Sequence, residues 1–292
     1  MKTFAPSELI INPDNSSFHL HITPEQLADK VVMCGDPDRV TLIASHFDST
    51  ECDVRSREFH TITGTYKGKR ITAISHGIGC DNIDIVVTEL DALKNIDFST
   101  RTEKENLTSM EMVRIGTCGG LQENTPLGTF ICSEKSIGFE GLLNYYANRD
   151  KICDLEFEKA FTEHLGWDYH NLPSPYVVDN SKELLDRIYD PSKGMVKGVT
   201  ISCGGFYGPQ GREIRIPLSD PHRNEKIESF EWNGYRITNF EMESSALAGL
   251  AAHLGHRALT VCMVVANRIG KEANAGYKNQ IDDLIQIVLD KI

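Results

Sequence analysis

Residues 30–47, KVVMCGDPDRVTLIASHF, pass from an apolar run through a Gly-Asp-Pro joint into a segment with helical spacing. KVVMCG (30–35) predicts a buried strand, because it is short, β-branched and closed by glycine. PDRVTLIASHF predicts the helix after it, with Pro37 in the first turn, where a missing N–H costs nothing. A buried strand feeding directly into a helix is the repeating unit of α/β folds.

The same alternation continues outward. FHTITGTYKGKRITAISH (59–76) predicts a hairpin turning at Lys67-Gly68, and DNIDIVVTELDALK (81–94) a helix with Asp81 or Asn82 near its cap. STRTEKENLTS (99–109) has the composition of an exposed insertion. EMVRIG and GTFICSEKSIGF predict strands, and DLEFEKAFTEHLG a helix stopped by Gly166. In MESSALAGLAAHLG, Leu247, Leu250, Ala251 and Leu254 share one helical face. Strand ALTVCMVVA and helix NQIDDLIQIVLDKI close the chain. Without repeats or a Pro/Ser-rich linker, the expectation is one α/β domain spanning residues 1–292.

Composition narrows the function. The 292 residues are 40% hydrophobic and 25% charged, with a net charge of −12. That acidity speaks against nucleic-acid or anionic-membrane partners, while leaving room for a small anion held by local arginines. Eight scattered cysteines without a CxxC pair give no zinc or thioredoxin-like signature, and are expected to be reduced. The N-terminus has no sustained apolar region and no run approaches about 18 apolar residues, so the expected location is the cytoplasm.

Candidate chemistry sits at the joints. In GDPDRV, Gly35 admits a ligand to the backbone and the helix start with Arg39 suits an anion. A plain strand–turn–helix joint with a surface arginine also accounts for it. RIGTCGG (114–120) puts Arg114 near a strand end with Thr117 three residues on, where open α/β sheets bind ligands. Its spacing is neither a dinucleotide fingerprint nor a P-loop. In NFEMESSALAG, Glu241 and Glu243 share a direction in extended chain. Each can accept from sugar hydroxyls or favour the positive end of a helix. GGFYGPQGREIR (204–215) is a glycine-rich loop bearing the flat face of Phe206 and the donors Gln210 and Arg212. His19 and the pair Arg57–Glu58 have no decisive local pattern; a lone histidine is usually structural, and such a pair is usually an ordinary solvated charge pair.

Taken in order, FHLHIT, GDPDR, SREFH, SHGIG, RIGTCGG, FYGPQGR, FEMESSAL and NRIG resemble the nucleoside phosphorylase family, and FYGPQGR resembles its uridine branch. The resemblance runs from about residue 17 to the C-terminus. It implies a three-layer α/β/α fold around a central mixed sheet. It also implies reversible phosphorolysis of uridine, or of deoxyuridine or thymidine, through an oxocarbenium-like transition state in pyrimidine salvage. Inorganic phosphate is the co-substrate, and no other cofactor is implied. Phosphate falls to Gly35, Arg39, Arg114 and Thr117, with Arg57 from a neighbouring subunit. The ribose falls to Thr117, Met242, Glu243 and the neighbour's His19, and the base to Phe206, Gln210, Arg212 and Arg268. Arg114, Glu243, Gln210 and Arg212 would act on the transition state. Sites of this kind need a homodimer, or a hexamer built from dimers.

Some relatives bind a monovalent cation between subunits, and Glu58, Ile78 and Asn82 stand at the matching positions, Asn82 replacing a serine. Many purine-cleaving bacterial relatives carry an acid where Asn267 stands here, and an amide cannot protonate a purine. A purine nucleoside phosphorylase and a nucleoside-binding protein without catalysis are the competing readings.

Overall fold

The computed structural model describes residues 2–267, 272–274, 276 and 278–292. The first half builds β1 (Lys30–Cys34), α1 (Pro37–Ala44), β2 (Ser49–Ser56), β3 (Phe59–Tyr66), β4 (Lys69–Ser75) and α2 (Cys80–Asn95). A short hairpin, β5 (Ile96–Asp97) and β6 (Thr102–Glu103), precedes β7 (Glu111–Gly120). Next come β8 (Phe130–Gly138), α3 (Leu155–Leu165), β9 (Tyr176–Asp179), α4 (Lys182–Ile188) and β10 (Met195–Ser202). The chain continues through α5 (Arg223–Ser229), β11 (Glu231–Trp232), β12 (Tyr235–Glu241) and α6 (Ser244–Leu254). It closes with β13 (Arg257–Asn267), β14 (Glu272–Ala273) and α7 (Lys278–Lys291).

Among the described residues, every strand except β5 and β6 joins one mixed sheet with main order β11-β12-β10-β8-β13-β7-β1-β4-β3-β2. β1 runs parallel to β4 and β7, and β7 parallel to β13. β8 turns antiparallel to β13 and starts a second parallel group with β10 and β12. β12 then pairs antiparallel with β7 at Gly119 and Gly120. That contact closes β7, β13, β8, β10 and β12 on themselves, a closure that periodicity does not announce.

Helices cover both faces of the sheet, as expected for α/β/α layering. Side-chain alternation along β1 shows why. Val31 and Met33 pack with Ile83, Val87 and Leu90 of α2 and Leu247 of α6. Val32 and Cys34 face the other way, onto Val40 and Ile43 of α1 and Leu284 and Val288 of α7. A third cluster sets Phe157 and Phe161 of α3 and Ile227 of α5 on Val199, Ile201 and Ile237.

Most local expectations match. The β3–β4 turn falls at Lys67-Gly68, both with positive φ, and Gly166 ends α3 at φ 61. The start of α2 falls where expected: the helix begins at Cys80 with Gly79 as N-cap, so Asp81 and Asn82 lie in its first turn, beside the cap. The carboxylate of Glu243, far away in sequence, accepts the Gly79 N–H at 2.8 Å and satisfies one of the free donors at that end of the helix. Segment 99–109 is mostly exposed, yet Arg101 donates to the Phe4 carbonyl at 2.9 Å and ties down the N-terminal arm.

Candidate active site

Arg114 is the hub. It lies on β7, only 4% exposed, and its guanidinium is spent on four partners. Nη2 pairs with Glu243, Nη1 with Glu241 at 3.0 Å, Nη1 also with Cys262 Sγ at 3.5 Å, and Nε donates to His76 Nε2 at 3.2 Å. Burial disfavours its charge, but Glu243 and then Glu241 outweigh burial and hold the guanidinium firmly protonated.

The two glutamates divide the work. Glu241 accepts the backbone N–H groups of Glu243 and Ser244 at 2.9 Å and the hydroxyls of Ser202 (2.6 Å) and Ser244 (2.9 Å). It thus caps α6 from the end of β12, which makes it structural as well as a counter-ion. Glu243 bridges Arg114 and Gly79 and is also buried. Burial raises its carboxyl above the usual range, Arg114 opposes the rise, and Glu241 adds to it.

Three strand ends meet here. Arg39 reaches from α1 to the Ile115 carbonyl at 3.2 Å. Gly35, at the end of β1, lies so near the β4–α2 joint that a Cβ on it would sit 3.0 Å from Gly77 O and 3.7 Å from His76 Cε1. A Cβ on Gly116 would fall 2.5 Å from Arg114 Nη1 and 2.8 Å from Cys262 Sγ, so glycine there is what lets the guanidinium fold back on its own strand. Thr117 follows, partly exposed, opposite Met263 of β13. Met242, also partly exposed, lies between β12 and α6 with its carbonyl accepting from Cys80 Sγ at 3.1 Å. The structure therefore gathers Gly35, Arg39, Arg114 and Glu243.

His76 is a member that the sequence reading passed over. Since Arg114 Nε–H donates to its Nε2, the ring proton resides on Nδ1. Burial first, then the charges of Arg114 and Arg39, hold it well below the usual imidazole range, so it is neutral. Its place directly after an apolar strand, in AISHG, was the available signal.

The loop after β10 makes the other wall. Cys203 N–H donates to the Glu241 carbonyl at 2.9 Å, joining the loop to β12. A Cβ on Gly119, at the end of β7, would lie 4.0 Å from Arg212 Nη2. Gln210 is 2% exposed and its Oε1 accepts from Arg212. The Arg212 guanidinium also lies 3.7 Å over the Phe206 ring, which is 50% exposed. Arg268 lies outside the described residues. Asn267 turns its amide nitrogen to the Thr125 carbonyl at 2.8 Å, bracing the turn after β7.

His19 and Arg57 form a separate group. Phe18 meets His19 edge-on at 4.8 Å, and Arg57 lies 5.8 Å over Phe18. Among the described residues, neither hydrogen-bonds to Arg39, Arg114 or Glu243. Glu58 and the Asn82 amide both crowd Gly77, next to an exposed Ile78, so the three candidate cation ligands are neighbours. A cavity of about 1040 Å³ lined by Gln122, Lys197, Tyr235 and Arg236, among others, shares no residue with the arginine cluster and belongs to another part of the surface.

Residues 29–290 match the family described as the Phosphorylase superfamily. The chain belongs to the phosphorylase superfamily. Within that superfamily it is 30% identical over 290 residues to a uridine phosphorylase of Thermococcus kodakarensis, covering 95% of this chain and 87% of the relative. It is 27% identical to a DeoD-type purine nucleoside phosphorylase of Colwellia psychrerythraea, over 94% and 98% of the two chains. A Trypanosoma brucei nucleoside phosphorylase, described as showing uridine phosphorylase activity, superposes with a TM-score of 0.87 at 29% identity, covering 97% of this chain and 98% of that one. The mixed-sheet α/β architecture is thus a phosphorylase-superfamily fold.

Proposed function

We propose that this chain cleaves uridine with inorganic phosphate, giving uracil and ribose 1-phosphate. One observation carries the reading. A buried arginine pinned by Glu243 lies across the strand ends from a loop in which Arg212 is already bonded to the buried Gln210. Phosphate is held by Gly35, Arg39, Arg114 and Thr117, and by Arg57 of a neighbouring copy. The sugar lies against Met242, Glu243 and the neighbour's His19, and the base against Phe206, Gln210, Arg212 and Arg268.

In the reaction the C1′–N1 bond breaks with its electron pair going to the base, while a phosphate oxygen bonds C1′ from the opposite face. Positive charge gathers on the ribose, where Glu243 favours it. Negative charge gathers on uracil, where donors from Gln210 and Arg212 favour it; each such donor lowers the barrier by about 2.7–4 kcal/mol, by analogy with an oxyanion hole. Three arginines offset the phosphate charge, a provision that a water nucleophile does not need. The working unit is a homodimer or a hexamer of dimers, made of one domain per chain and residing in the cytoplasm. Among the described residues, no helix is long and apolar enough to cross a membrane.

The test is uracil release from uridine with and without phosphate. Release should depend on phosphate and yield ribose 1-phosphate. Equal release without phosphate, or turnover of inosine with none of uridine, overturns the reading.

A further inference from the structure

Glu89 sits in the middle of α2, in a stripe with the buried Val86, Leu90 and Leu93, and is itself 8% exposed. A carboxylate on such a face is costly unless it is fully engaged. Here both oxygens are used. The His19 N–H donates to Oε1 and Oε2 at 3.1 Å, the Leu20 N–H donates to Oε2 at 3.1 Å, and His19 Nδ1 lies 2.5 Å from Oε1. One side chain therefore fixes the backbone at 19–20 and the imidazole together.

We propose that Glu89 is a positioning residue for the nucleoside: it sets the tautomer and direction of His19 so that Nε2 meets the ribose 5′-hydroxyl. The inference rests on the reading above that His19 reaches the sugar of a neighbouring site. A carboxylate can only accept from a ring nitrogen, so His19 carries a proton on Nδ1, and in the neutral ring this leaves Nε2 as the acceptor facing outward. The His19 side chain is 28% exposed, leaving that edge available. Phe18 braces the other side of the ring, and Arg57 covers Phe18. Glu89 thus anchors a surface unit whose two polar tips, His19 and Arg57, are the groups assigned to the neighbour's sugar and phosphate.

The experiment compares uridine with 5′-deoxyuridine, which lacks the hydroxyl, at saturating phosphate in wild type, His19→Ala, Glu89→Gln and the double variant. Wild type should prefer uridine in kcat/KM, and His19→Ala should lose the preference. Glu89→Gln should lower uridine kcat/KM about 10- to 100-fold, by analogy with carboxylates that orient metal-bound histidines, with 5′-deoxyuridine changed less than about twofold. In the double variant the substrate ratio should match that of His19→Ala.

Equal losses on both substrates in Glu89→Gln would make Glu89 a mere structural prop and overturn the proposal, leaving the His19 reading intact. A preference that survives in His19→Ala overturns the His19 reading and the proposal with it. Independently of any variant, ¹⁵N shifts of wild-type His19, followed to a pH at which the ring is neutral, should show the proton that remains on Nδ1, and a proton that remains on Nε2 overturns the proposal.

Discussion

His76 shows how one residue ties stability to the site. Its imidazole is neutral because burial and two nearby arginines penalise the cation, and its Nε2 has to stay bare to accept from Arg114. The folded-state value lies well below the 6.5 of a free imidazole, so the unfolded chain takes up a proton at higher pH than the native one. Stability from this group is therefore complete above about pH 6.5 and lost as pH falls toward the folded value, by up to about 1.4 kcal/mol per pH unit. A His76→Gln variant, whose amide oxygen can still accept from Arg114, should be less stable than wild type at pH 7, and the gap should close as the pH is lowered to 5. Urea denaturation at both pH values measures this. Parallel losses in the two proteins would mean that His76 is not the buried neutral group described.

At the scale of elements, the site is a set of strands whose glycines make space for side chains of the same strand and of its neighbours. Gly116 is the sharpest case, because the position of its absent Cβ lies against the Arg114 guanidinium and the Cys262 thiol. Gly116→Ala should displace the guanidinium from its glutamates. The expected outcome is a fold less stable by about 1–3 kcal/mol, the usual cost of overpacking. The phosphate KM should rise at least tenfold, and thermal melts with phosphate titrations of the rate check both. An unchanged phosphate KM would show that Arg114 does not need this space.

The same elements show what was legible in the sequence. β1–α1 and the β3–β4 hairpin follow from short-range period and turn residues. Arg114 stands out because an arginine within an apolar run is hard to explain by packing; the sequence puts it near a strand end, but β7 runs on to Gly120 and places it inside the strand. Asp81 and Asn82 mark the neighbourhood of the α2 cap, but the acceptor of the Gly79 N–H is Glu243, supplied from the start of α6, which no local pattern shows. Sheet closure was hidden because it rests on β12 meeting Gly119 and Gly120 of β7, and no local pattern encodes that pairing. Glu89 left a faint trace, a carboxylate within an apolar helical stripe, whose meaning lies some seventy residues away at His19.

For the whole molecule, the question is why Arg57 is held as it is. It occupies a left-handed conformation, φ 55, in a two-residue turn between Ser56 and Phe59, a place better suited to glycine or asparagine. Such a conformation costs about 1 kcal/mol or more and persists where surrounding structure or function requires it. Within its own chain Arg57 makes no ion pair among the described residues; it lies over Phe18, beside His19. A neighbouring copy supplies the missing reason if each phosphate site takes Arg114 from one chain and Arg57 from the other. Arg57→Ala and Arg114→Ala homo-oligomers should then both be nearly inactive. Unfolding and refolding them together in equal amounts should restore activity. Half of the random dimers are mixed, and each of those has one site with both arginines and one with neither, so about a quarter of wild-type activity should return. Subunit exchange followed by uracil-release assays measures the recovery. If mixing restores nothing while mixed dimers form, both arginines belong to the same chain's site, and the left-handed turn at Arg57 has to be explained within a single subunit.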